Sequence, residues 1–144
     1  MRIAVVDGQG GGVGKALVEK LRHAFGKEAY ILALGTNSHA ASIMLKAGAD
    51  AGASGENAIV ANADRVRVIV GALGVVAADS MLGEITPAMA RAIAQSGARK
   101  ILVPVNRCGL TVAGVKNLSF GEYVAEAVEA VRALRIGDAA EEGG

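Results

Sequence analysis

The sequence has no tryptophan, a single cysteine and only 3% aromatic residues. With so few rings, its core must be assembled from Val, Ile, Leu and Ala. Small and β-branched residues in that proportion suit parallel strands covered by Ala-rich helices. Cys108 stands alone, which excludes an intramolecular disulfide framework and a CxxC site. An excess of charge of one sign is missing too. Fifteen Lys and Arg against 14 Asp and Glu leave a net charge of +1, which argues against a broad nucleic-acid footprint. The longest apolar run, VIVGALGVVAA at 68–78, is far too short to span a bilayer. The opening MRIAVVDG enters a strand at once and lacks signal-peptide anatomy. A cytoplasmic protein with neither membrane nor nucleic-acid partners is therefore expected. His23 and His39 have no metal-ligand company at a recognised spacing, so no metal is expected.

What the chain does have is glycine, 20 residues in 144, and a hydrophobic content of 52%. This length suits one domain with one core. RIAVV (2–6), YILAL (30–34), VRVIV (66–70) and ILVPV (101–105) read as buried strands, and ADAGAS (49–54) as a short one of small residues. LTVAGV (110–115) is a candidate last strand. Helices are expected from about Gly14 to Phe25, from an N-cap at Ser38 with Ile43, Met44 and Leu45 inward, and over GENAIVANA (55–63). Thr86-Pro87 starts another, a capping hydroxyl followed by Pro at the first helical position. Ser119 and Glu122 form a capping box for the last, with Phe120, Val124, Ala127, Val131 and Leu134 on one face. The alternation implies a single three-layer Rossmann-like α/β domain with a mainly parallel sheet over 1–136, and a flexible acidic tail over 137–144.

In such a sheet, ligands bind beyond the carboxyl ends of the strands, where each loop leads into a helix N-terminus. The polar residues at those ends are Asp7, Thr36, Asn37, Ser54, Asn106 and Arg107. The first loop is DGQGGGVGK (7–15). As a P-loop it fails, because Ala16 stands where a metal-binding hydroxyl should follow Gly14-Lys15. Its remaining use is a backbone cradle for phosphate built from Gly8, Gly10, Gly12 and Gly14, with Lys15 beside it. A tight turn that only packs is the competing reading. Arg107 is a candidate anion clamp. Cys108, beside that arginine, is a candidate low-pKa thiol, or else an inert small hydrophobe. Glu84 reads as a charge on a solvated loop, and Asp7 as either a site acid or a cap for the glycine loop.

Three resemblances accompany these residues. The spacing of Gly8, Gly12 and Gly14 after a strand resembles the cofactor loop of short-chain dehydrogenases, which implies a nucleotide, NAD(P) among the candidates. No Tyr-x-x-x-Lys pair follows, so hydride transfer is not implied. The layout from ILALGTNSHAAS through ASGENAIV to ILVPVN resembles methylglyoxal synthase-like domains. That likeness implies phosphate contacts at Thr36, Ser54, Gly55 and Lys15, with Glu56 or Asp7 as base and His39 as electrophile. Glu56 replaces that family's Gly-Gly-Asp stretch. The whole chain, particularly SMLGEITPAMARAI with PVNRC, resembles a family of small bacterial proteins catalogued only as a domain of unknown function. Three functions are compatible: a protein binding a nucleotide or other phosphorylated small molecule, an enzyme on a small phosphorylated substrate, or a homo-oligomeric structural subunit that uses GALGVVAA as a contact surface.

Overall fold

The computed structural model describes residues 1–105 and 108–142. In chain order the elements are β1 (Arg2–Asp7), α1 (Gly12–Phe25), β2 (Tyr30–Gly35), α2 (Ser38–Lys46), β3 (Ala51–Ser54), α3 (Glu56–Asn62), β4 (Val68–Ala72), α4 (Pro87–Gln95), β5 (Arg99–Val103) and α5 (Phe120–Glu142). The five strands form one sheet in the order β3-β2-β1-β4-β5, and every pairing is parallel. This is a Rossmann-like arrangement, with the chain reversing direction across the sheet between β1 and β4. Helix α1 packs on α2 and α5, while α3 packs on α4. Right-handed crossovers place these two groups on opposite faces of the sheet.

The aliphatic composition builds this directly. Ile3, Val5, Ile31, Ala33 and Val70 are fully buried in the three central strands, as expected of a sheet covered on both faces. From α1, Leu17, Val18 and Leu21 close one side; Ile59, Met89 and Ile93 close the other from α3 and α4. The helix starts follow local chemistry. The Thr86 hydroxyl accepts the Met89 N–H at 3.2 Å ahead of Pro87. Ser119 and Glu122 exchange side-chain to backbone hydrogen bonds at 3.2 and 3.3 Å, the reciprocal pair of a capping box.

Several expectations need correction. The cap of α2 is Asn37, whose side-chain Oδ1 accepts the Ala40 N–H at 2.8 Å, and Ser38 is already helical. On that helix Ala40, Ala41 and Met44 are buried, whereas Leu45 is 44% exposed. One residue past Met44 is a rotation of about 100°, which carries Leu45 off the buried stripe. Strand β4 runs two residues later than VRVIV, since Arg67 lies exposed before it. Residues 110–115 form no strand. Gly109 and Gly114 adopt φ of 81° and 83°, so the segment turns repeatedly instead of extending along β5. Of GALGVVAA, Gly71, Ala72, Gly74 and Val75 are buried inside the domain, while Leu73, Val76 and Ala77 are half-buried and Ala78 is exposed.

Candidate functional site

Parallel register aligns the strand ends. Asp7 pairs with Gly35 and Gly35 with Ser54, so the loops after β1, β2 and β3 leave the sheet side by side. The loop after β4 joins them, beside the β1–β4 reversal where open parallel sheets bind ligands.

The glycine loop is shaped by close approaches. Gly11 caps α1 at φ 75°, and a Cβ there would lie 3.1 Å from the Ala40 Cα. A side chain on Gly8 would meet the Thr36 hydroxyl at 2.7 Å and the Met81 sulfur at 2.9 Å. One on Gly14 would run into Met44 and the Asp7 Cβ. Gly10 and Gly12 differ: a Cβ on either meets nothing within 4 Å. The matched spacing of Gly8, Gly12 and Gly14 therefore mixes two packing glycines with one that borders open space. Gly11, absent from that pattern, is the one the backbone requires.

Asp7 holds the loop from below. It is only 4% exposed, and its two carboxylate oxygens accept the Gly8 N–H at 2.8 Å and the Gly14 N–H at 2.6 Å. Burial pushes its pKa up; the two N–H bonds pull it down, and the Glu84 charge adds a further upward push. Of its two expected roles, this geometry is that of a cap. In the first turn of α1, Gly14 is thus satisfied by Asp7. The N–H groups of Gly12 and Val13 have no acceptor among the described residues. Lys15 is exposed on the same turn.

Glu84 holds the loop from above, and here the sequence reading was incomplete. Its Oε1 accepts the Gln9 N–H at 2.9 Å, the Thr36 hydroxyl at 2.7 Å and the Asn37 amide at 2.8 Å. Asn37 also donates to the Gln9 carbonyl at 3.1 Å. Thr36 and Asn37 are therefore joined to the glycine loop through a carboxylate that looked solvated. The available signal was topological, because MLGEITP connects a strand to a helix and must lie at the carboxyl edge. Ser54 lies exposed on that edge, and its side chain makes no hydrogen bond to the cluster. Glu56 and His39 are exposed. Asn106 and Arg107 lie outside the described residues. Cys108 is exposed. Among the described residues, no group of three or more His, Cys, Asp or Glu is placed to hold a metal ion, and no helix is long and apolar enough to cross a membrane.

The Glu84 pKa is lowered, first by the Thr36 hydroxyl and then by the Gln9 N–H, against a usual value of 4.5. A carboxylate with a depressed folded-state pKa contributes stability above its unfolded value and loses it as pH falls through the folded one. Glu84→Gln is accordingly expected to show a flatter loss of stability below pH 4.5 than the parent, measured as the urea midpoint against pH. Parallel curves would mean that the three donors do not stabilise the charged form.

A family model described as "Domain of unknown function (DUF3842)" matches residues 2–135. No curated protein matches the chain, and no solved structure does. The resemblances to short-chain dehydrogenases and to methylglyoxal synthase-like domains thus gain no support. With nearly the whole length matched, the chain belongs to the DUF3842 family.

Proposed function

We propose that this DUF3842 protein binds a nucleotide or other phosphorylated small molecule at the carboxyl edge of its sheet, with the phosphate against the start of α1. The observation that carries the reading is the pairing of open backbone with unpaired donors. Gly12 leaves free the space that its side chain would fill, and the N–H groups of Gly12 and Val13 find no acceptor among the described residues. Donors at a helix start combine with the positive end of the helix dipole to favour an anion. Gly8, Gly10 and Gly14 shape the backbone of that cradle, Lys15 supplies a cation on its rim, and Thr36, Asn37 and Ser54 line the neighbouring strand ends. Asn106 and Arg107, which follow β5 in the sequence, complete the residue set. NAD(P) is one candidate ligand, and the cytoplasm is the compartment this reading expects.

Thermal denaturation with NAD, NADP, ATP, GTP, triose phosphate and inorganic phosphate tests the proposal. A ligand at a hundredfold its dissociation constant is expected to add ~2.7 kcal/mol of stability. Gly12→Val is expected to melt as the parent does without ligand, because its Cβ meets nothing within 4 Å. It is expected to lose the ligand-induced stabilisation, because that space is where the phosphate lies. A panel without any response would remove the reading. A Gly12→Val protein that responds normally would move the site away from this loop.

A further inference from the structure

Glu84 reaches the glycine loop from an unusual turn. Asp79, Met81 and Leu82 have φ of 64°, 56° and 56°, and Gly83 follows at 89°. Left-handed backbone is unfavourable for a non-glycine residue, and such strain clusters at active sites, ligand clamps and switch regions. Leu82 does not repay it, being 98% exposed at the tip. Its backbone hydrogen bonds are mainly internal, and Met81 and Ile85 anchor it in the core, leaving Leu82 and Gly83 at the exposed tip beside the half-buried Glu84. The Asp79 N–H donates to the Ile85 carbonyl at 2.7 Å and the Ile85 N–H to the Ser80 carbonyl at 3.2 Å, while the Ser80 hydroxyl anchors it to the Gly74 carbonyl at 2.5 Å. Among the described residues, its hydrogen bonds to the loops after β1 and β2 all pass through one atom, Glu84 Oε1.

That atom receives three donors, whereas a carboxylate oxygen offers about two lone-pair directions. A backbone N–H, a hydroxyl and an amide from two separate loops thus converge on one point at the mouth of the site. Convergent donors of this kind are the elements of an oxyanion subsite, and a phosphoryl oxygen suits them at least as well as Oε1 does. We propose that Glu84 is a built-in stand-in for the ligand: its carboxylate fills an oxyanion subsite made by Gln9, Thr36 and Asn37, and the exposed tip of the 79–85 turn that carries it is a latch that a phosphoryl group must displace. This rests on the ligand-binding reading above and adds regulation to it. Binding is weakened by the fraction of molecules that are latched, and release of the strained turn offsets part of the cost of opening.

Affinity for inorganic phosphate and for ADP is measured by titration calorimetry on the full chain, for the parent, Glu84→Gln, Glu84→Ala and Leu82→Gly. With the latch populated about nine times in ten, its removal tightens binding on the order of tenfold. Glu84→Ala is therefore expected to bind phosphate tighter than the parent, and Glu84→Gln, which keeps the shape without the charge, to fall between. Leu82→Gly relieves strain in the latched form alone and is expected to bind more weakly. The Gln9 amide resonance, which reports its acceptor directly, is expected to shift when phosphate is added to each protein that binds. If the parent binds but both Glu84 variants bind more weakly, Glu84 contacts the ligand; the latch is overturned while the ligand-binding reading stands. Equal affinities overturn it as well, since nothing then competes. If no protein binds either probe, both readings fail together.

Discussion

Gly35→Ala is expected to lower the unfolding free energy by about 3 kcal/mol, the upper end of the usual cost of overpacking. A Cβ on Gly35 would lie 2.6 Å from the Asn37 carbonyl oxygen, 2.7 Å from the Ala41 nitrogen and 3.0 Å from the Ala41 Cβ. The first two are backbone atoms of the start of α2, so no rotamer change relieves the clash. The helix would have to move off the sheet, and its movement would not stay local. The Gly35 carbonyl accepts the Gly55 N–H at 2.9 Å, tying the end of β2 to the start of α3. Asn37, displaced with α2, would draw its amide away from Glu84 and from the Gln9 carbonyl. A urea midpoint that falls with an unchanged slope is the expected signature, since the loss is one of stability and not of compactness. Gly12→Ala serves as the control, with nothing within 4 Å of its new Cβ, and should stay within about 0.5 kcal/mol of the parent. Equal stabilities for the two variants would show that α2 does not sit this close to β2.

The same contrast explains what could be read from the amino-acid order. Strands such as RIAVV and YILAL were legible because a strand covered on both faces is apolar throughout, and the parallel topology followed from their alternation with helices. The capping residues Thr86 and Ser119 were legible because capping is a local interaction. The roles of individual glycines were not. Gly8, Gly14 and Gly35 are set by what stands opposite them, namely Thr36 and Met81, Met44, and the start of α2. Those neighbours come from other elements, and for Gly8 and Gly14 they include residues far away in sequence. Glu84 escaped for the same reason: its partners Gln9 and Thr36 are 75 and 48 residues away in sequence. Local chemistry indicated which polar residues gather at this edge, and long-range contacts decide how they are joined.

Asp7 is where burial and hydrogen bonding oppose each other, and Asp7→Asn separates them. The aspartate supplies one acceptor oxygen to each of the Gly8 and Gly14 N–H groups. Asparagine has a single acceptor oxygen, so one buried N–H would face an NH₂ group. Loss of a charge-assisted bond together with an unsatisfied donor is expected to cost about 3 kcal/mol near neutral pH. The pH dependence follows from the raised pKa of Asp7, in which burial is the dominant cause. Between the usual value of 3.8 and the raised one, the folded state holds more protons at Asp7 than the unfolded state does. Stability from this group is therefore complete below the usual value and is lost as pH rises through the folded one. The variant has no such group, and other carboxylates titrate in both proteins. The advantage of the parent over Asp7→Asn should consequently be largest in acid and shrink to a plateau toward neutrality. Urea midpoints of both proteins at pH 3.5 and pH 7 check this. A margin that grows with pH instead would mean that the two N–H bonds outweigh burial, leaving Asp7 stabilised as an anion.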